Sequence, residues 1–263
     1  MNRIEARLNK LNKENKKAFI TYMTAGFPDI KKDEEIIRAQ YEAGIDIIEL
    51  GIPFSDPIAD GPVIQDASYK AIQNGADIHK AFELVKNVRA YCEIPIVFML
   101  YYNTVLHYGI ESFINKCIEC GVDGLIIPDL PFEEVFEINE VLKKTENAPF
   151  LIPLVSPVSK DRIPMIVKEA KGFVYCVSSM GVTGQNADFH KDVKDYLKDV
   201  KRESKVPVMM GFGIRTAEDV KPFEDIIDGC IVGSHFIEIM EHNNFEINSI
   251  KEYICMFKEN LNR

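Results

Sequence analysis

The chain has 263 residues, 46% hydrophobic and 27% charged, the balance of a globular protein with room for one large domain. Its formal net charge of -10 leaves no basic excess to offset phosphates, which disfavours nucleic acid or an anionic membrane as partner. No apolar stretch approaches the ~20 residues of a membrane span, and the start Met1-Asn2-Arg3-Ile4-Glu5 is too polar and acidic for a signal peptide, so a cytoplasmic protein is expected.

Residues 1–12 read as a helix with Ile4, Leu8 and Leu11 on one face. A strand is predicted over 18–24, then a helix over 31–43 with Ile36, Ile37, Ala39 and Ala43 at apolar spacing. The next strands are predicted over 45–50 and 94–100, with a helix over 78–91 between them. Strands over 124–128 and 150–154 flank a helix over 133–142. Helices over 160–170 and 192–201 alternate with strands over 173–177 and 206–210. Thr216, followed by Ala217-Glu218-Asp219, is an N-cap signal. A strand over 229–232 and a helix over 245–260 close the chain.

The strand segments are rich in Ile, Val and Phe and do not alternate with polar residues, the pattern of a parallel sheet buried on both faces. Eight strands alternating with helices, at roughly 30 residues per unit, predict a (β/α)8 TIM barrel with an extra N-terminal helix, as a single domain over 1–263. An open doubly wound sheet is the alternative. The 6 cysteines are scattered and do not read as a disulfide framework. Cys117-Ile118-Glu119-Cys120, near the end of a helical stretch, has no second Cys or His pair to complete a zinc site, so buried apolar roles are expected.

A barrel places its chemistry at the C-terminal ends of the strands. Glu49 lies in the apolar run Asp46-Ile47-Ile48-Glu49-Leu50-Gly51-Ile52-Pro53, where an ionised carboxylate is costly and a protonated one is favoured. Asp60 follows on a proline-stiffened loop, so the two read as an acid–base pair. Two other readings stand beside it: a strand cap plus a loop carboxylate, or a divalent-cation site of Glu49, Asp56 and Asp60. Gly211-Phe212-Gly213-Ile214 after strand seven and Gly233-Ser234 after strand eight have the makings of a phosphate cradle built from backbone N–H groups, with Ser234 starting a short helix. The polar stretch 178–186 after strand six reads as a lid or a plain surface loop. Lys171 and Lys205 precede strands, so neither is placed for Schiff-base chemistry, and no histidines pair at ligand spacing.

Taken together, Glu49-Leu50-Gly51-Ile52-Pro53-Phe54-Ser55-Asp56-Pro57, Ala59-Asp60-Gly61-Pro62, Gly181-Val182-Thr183-Gly184 and Gly211-Phe212-Gly213-Ile214 resemble the tryptophan synthase alpha chain family. Asp129-Leu130-Pro131 and Gly233-Ser234 agree in order and spacing, and the likeness runs over residues 19–233. The resemblance implies reversible retro-aldol cleavage of indole-3-glycerol phosphate to indole and glyceraldehyde 3-phosphate. It implies Glu49 as the acid–base group and Asp60 as acceptor of the indole N–H. Tyr175 is implied near Glu49 and the glycerol chain. Tyr22, Met99, Tyr101, Ile126 and Ile152 are implied around the indole, with Tyr102 the alternative to Tyr101. Thr183 is implied to order the lid against Asp60, and Gly184, Gly211, Phe212, Gly213, Gly233 and Ser234 to surround the phosphate.

The resemblance also implies an α2β2 heterotetramer with a pyridoxal-phosphate-dependent beta chain. The cofactor would belong to that partner, with none and no metal in this chain. Contact regions are implied at residues 53–60 and near Ser179. The sequence departs from the family pattern at Ser179, where some members carry Arg, and at Tyr22, where Phe is expected. Two rivals stand beside this reading: another barrel enzyme acting on a phosphorylated sugar, and a non-catalytic subunit that activates a partner.

Overall fold

In the computed structural model, which describes residues 1–177, 187–211 and 213–263, the seven buried residues Ala18–Thr24 form the first strand, β1. The others are β2 (Ile47–Gly51), β3 (Ile96–Met99), β4 (Gly124–Ile126), β5 (Phe150–Leu151), β6 (Leu154–Val155), β7 (Val174–Cys176), β8 (Val208–Met210) and β9 (Gly229–Val232). All pair in parallel, in the order β5-β4-β3-β2-β1-β9-β8-β7-β6.

The two outer strands of that order are consecutive in the chain, separated by Ile152 and Pro153. The Ile152 N–H donates to Leu125 O on one side at 2.8 Å, and Pro153 O accepts from the Tyr175 N–H on the other at 3.0 Å. Residues 150–155 therefore join β4 to β7 and close the ring. This is the expected (β/α)8 barrel, with its fifth stave split in two at a proline that has no N–H to donate.

Side chains alternate along each stave. Ile20, Ile47, Val97, Ile126, Ile152, Met209 and Ile231 fill the barrel interior. Phe19, Met23, Ile48, Ile96, Phe98 and Val174 face outward against the helices. Helix α1 (Arg3–Lys13) lies across the N-terminal end of the barrel, with Ile4, Leu8 and Leu11 buried in the interior cluster as the sequence predicts. A Cβ on Gly124 would come within 3.0 Å of Ile4 Cδ1, so that glycine makes room for the plug.

The remaining helices are α2 (Ile30–Glu42), α3 (Pro62–Gln73), α4 (Ile78–Val88), α5 (Tyr102–Tyr108), α6 (Ile110–Cys120), α7 (Phe136–Lys144), α8 (Ile163–Val167), α9 (Ala187–Glu203), α10 (Ser234–His242) and α11 (Ile247–Leu261). Helices α3 and α5 are additional to the sequence expectation. The Gly61-Pro62 pair, which closes the proline-stiffened loop, is also the start of α3, with proline in its first turn where a missing N–H costs little. Helix α8 is much shorter than the predicted 160–170 because residues 157–162 form a 3-10 turn ahead of it.

Asp46 is fully buried at the N-terminal end of β2. It accepts hydrogen bonds from Arg7 of α1 (2.8 Å), Lys258 of α11 (2.7 Å) and the Phe19 N–H (2.8 Å). Among the described residues no helix is long and apolar enough to cross a membrane.

Candidate active site

Glu49 is an inward position of β2, in register with Tyr22 on β1 and Val97 on β3. It is 1% exposed, and neither carboxyl oxygen has a hydrogen-bond partner among the described residues. Burial, helped by the nearby charge of Asp60, pushes the Glu49 carboxyl up to about 8. At neutral pH it holds its proton.

Asp60 sits on the loop that leaves β2. The Tyr101 hydroxyl donates to its Oδ2 at 3.0 Å and accepts from the Ala59 N–H at 2.9 Å. The Tyr101 ring stacks on Phe54, with centroids 4.9 Å apart. Helix α3 ties the loop down: Gln65 Nε2 donates to Asp60 O at 2.9 Å, and Ser68 Oγ accepts from the Phe54 N–H at 2.9 Å. Burial raises the Asp60 carboxyl to about 6, against the lowering effect of the Tyr101 bond. Two carboxyl groups of one type thus differ in charge near pH 7, Glu49 neutral and Asp60 ionised. Asp56, by contrast, is exposed and takes a hydrogen bond from Ser55 at 2.5 Å.

Tyr22 and Tyr175 close in on the acids. Each is held well above the ordinary phenol value, by burial first and then by the charge of Asp60 for Tyr22 and of Glu49 for Tyr175. A Cβ on Gly51 would stand 2.0 Å from the Tyr22 hydroxyl, and one on Gly211 2.6 Å from the Tyr175 ring. Glycine at both positions is what lets the two rings lie where they do. Of the neighbouring tyrosines, Tyr101 reaches Asp60. Tyr102 instead starts α5, its N–H donating to Asp129 Oδ1 at 2.8 Å, and its hydroxyl is buried without a hydrogen-bond partner among the described residues.

The cleft at the barrel mouth is lined by Asp60, Met99, Ile126, Ile152, Tyr175, Gly211, Gly213, Gly233 and Ser234. Glu49, Tyr22 and Tyr101 lie behind this wall rather than on it. At the far side Gly213 adopts a left-handed backbone (φ +64°), and α10 begins at Ser234 directly after Gly233. The first-turn N–H groups of a helix lack intrahelical partners and carry its positive dipole end, which suits an anion. Arg215 and His235 also line the cleft, and both bond to Glu238, at 3.0 and 3.2 Å. The sequence reading weighs His235 only as a metal ligand and leaves out Arg215, although each directly follows a glycine motif. Thr183, Gly184 and Phe212, with the rest of 178–186, lie outside the described residues.

A family model described as tryptophan synthase alpha chain matches residues 8–262. A Lachnospira eligens protein named tryptophan synthase alpha chain is 65% identical over 263 residues, spanning 100% of both chains. A namesake from a Thermoanaerobacter species is 45% identical over 262 residues, covering 98% of this chain and 99% of its own. The crystal structure of tryptophan synthase subunit alpha from Legionella pneumophila superposes with a TM-score of 0.90 at 31% identity, over 99% of this chain and 98% of that one.

Proposed function

Since the chain belongs to the tryptophan synthase alpha chain family, we propose that it cleaves indole-3-glycerol phosphate reversibly to indole and glyceraldehyde 3-phosphate, with Glu49 and Asp60 as its catalytic groups. The observation that carries the reading is the buried Glu49 carboxyl, unpartnered among the described residues and neutral at pH 7 beside an ionised Asp60.

In this mechanism the protonated Glu49 delivers its proton to indole C3. The ring becomes a cationic iminium, stabilised by the Asp60 carboxylate as it accepts the N–H hydrogen bond. Glu49, now a carboxylate, takes the proton of the glycerol hydroxyl next to the ring. The carbon–carbon bond breaks, its electron pair returns to the ring to give neutral indole, and the hydroxyl carbon becomes the aldehyde. The ring is its own electron sink, so the reaction asks for no cofactor from this chain.

Met99, Ile126 and Ile152 would bound the indole, with Tyr22 and Tyr101 behind, and Tyr175 would lie along the glycerol chain. Gly211, Gly213, Gly233 and Ser234 would cradle the phosphate, with Gly184 and Phe212 assigned from the family pattern. Thr183 is assigned to the lid on the same ground. Replacing Glu49 by Gln should lower indole release by about a thousandfold, the scale of a lost acid–base group, in a protein that still folds. A folded variant with normal turnover would overturn the assignment.

The natural partner in this reading is a beta chain carrying pyridoxal phosphate, in an α2β2 complex. Ile58, Phe136 and Val158 are 85%, 73% and 84% exposed, and they lie in segments that follow β2, β4 and β6 on the same face as the cleft. These exposed apolar side chains are ones that a partner chain on that face would cover. Mixing with a beta chain should raise both activities and shift sedimentation to the heterotetramer; independence in both would refute the partnership.

A further inference from the structure

When Glu49 gives up its proton it becomes a buried anion, a costly state unless a hydrogen-bond donor turns towards it. Tyr22 is built into the position to supply one. It is the register partner of Glu49 on the neighbouring strand, facing the same side of the sheet, and adjacent strands run ~4.8 Å apart. Its hydroxyl lies over Gly51, in space that only a glycine leaves open. Gly51 is two residues beyond Glu49 on the same strand, at the end from which the loop bearing Asp60 departs.

The present partner of this hydroxyl is Thr24 Oγ1 at 3.3 Å, long for a bond between hydroxyls and so readily exchanged. The titratable groups around Tyr22 are Glu49 on β2, Asp60 on the following loop, Tyr101 ahead of α5 and Tyr175 on β7. The Tyr101 hydroxyl is engaged by Asp60 and Ala59. The Tyr175 ring and hydroxyl stand over Gly211, beyond the end of β8. Tyr22 is the phenol placed over the strand that carries Glu49, while Tyr175 is the one on which the charge of Glu49 bears first.

We propose that Tyr22 is a positioning residue for the acid–base group: its hydroxyl leaves Thr24 and donates to the Glu49 carboxylate each time Glu49 has released its proton, then swings back when the proton returns. This rests on the assignment of Glu49 as the proton donor.

The test is Tyr22→Phe. For indole release from indole-3-glycerol phosphate, kcat should fall about three- to tenfold while KM changes less than about twofold, and the high-pH limb of the rate profile should move up by about half a pH unit as the carboxylate loses a donor. The carboxyl infrared band that distinguishes wild type from Glu49→Gln should titrate higher by the same amount, read without substrate. Thr24→Val, which removes the resting partner, should move that titration down. A Tyr22→Phe protein with a changed KM but an unmoved infrared titration would reduce Tyr22 to a wall residue, and a Thr24→Val shift in the same upward direction would also overturn the exchange. Glu49→Gln keeps the two claims apart. If that variant is folded and fully active, the acid assignment itself fails; if it is inactive while Tyr22→Phe leaves the titration in place, only the role of Tyr22 fails.

Discussion

A carboxyl buried without a donor favours its neutral form, and that preference has two measurable consequences for Glu49. The first is kinetic. Above about 8 Glu49 has lost the proton it must deliver, and below about 6 Asp60 has lost its charge, so kcat/KM should peak between these values and fall on both sides. Tyr101→Phe removes a donor that holds Asp60 down, so the acid limb of that profile should move to higher pH. The second consequence is for stability. The folded state binds a proton at Glu49 that the unfolded state has released between 4.5 and about 8, so folding stability falls as pH rises through that window and levels off beyond it. Glu49→Gln does not titrate. Urea unfolding at pH 5 and pH 9 should show the variant gaining on wild type with rising pH, by an amount of order 4 kcal/mol. Glu49 was legible in the sequence because a carboxylate inside an apolar strand contradicts its surroundings. The Tyr22 hydroxyl over Gly51 was not, because that placement depends on the register of two strands 27 residues apart.

At the scale of elements, eight staves and the helical plug could be read from runs of Ile, Val and Phe and from the spacing of Ile4, Leu8 and Leu11. The split in the fifth stave could not, since it depends on which neighbour each half of 150–155 pairs with. Helix α3 was hidden by its own start signal, as Gly-Pro marks a turn and a helix N-terminus equally well. Helix α5 was hidden because it draws on Asp129, 27 residues downstream. The packing of glycines against rings is also an element-level feature, and it makes a steric prediction. Gly51→Ala places a methyl 2.0 Å from the Tyr22 hydroxyl, so β1 or the ring must shift. We expect a loss of about 1–3 kcal/mol in urea unfolding, together with reduced indole release.

For the whole molecule, a buried charge cluster lies at the end opposite the mouth. Asp46 gathers Arg7, Lys258 and the Phe19 N–H into one buried cluster. Removing that carboxylate in Asp46→Ala leaves two partly exposed cations and the buried Phe19 N–H without it, and the loss should be about 1–3 kcal/mol in thermal or urea unfolding. Limited proteolysis should then cut first near α1, the element the cluster holds in place. The same cluster binds the first helix and the last one to a single residue, and the Lys17 N–H donates to Asn262 Oδ1 at 2.7 Å close by. Both ends of the polypeptide therefore lie on the floor of the molecule, Asn2 against Asp123 ahead of β4 and Asn262 against Lys17 ahead of β1. An affinity handle or a fluorophore at either end can be hung there without shading the opening through which substrate enters.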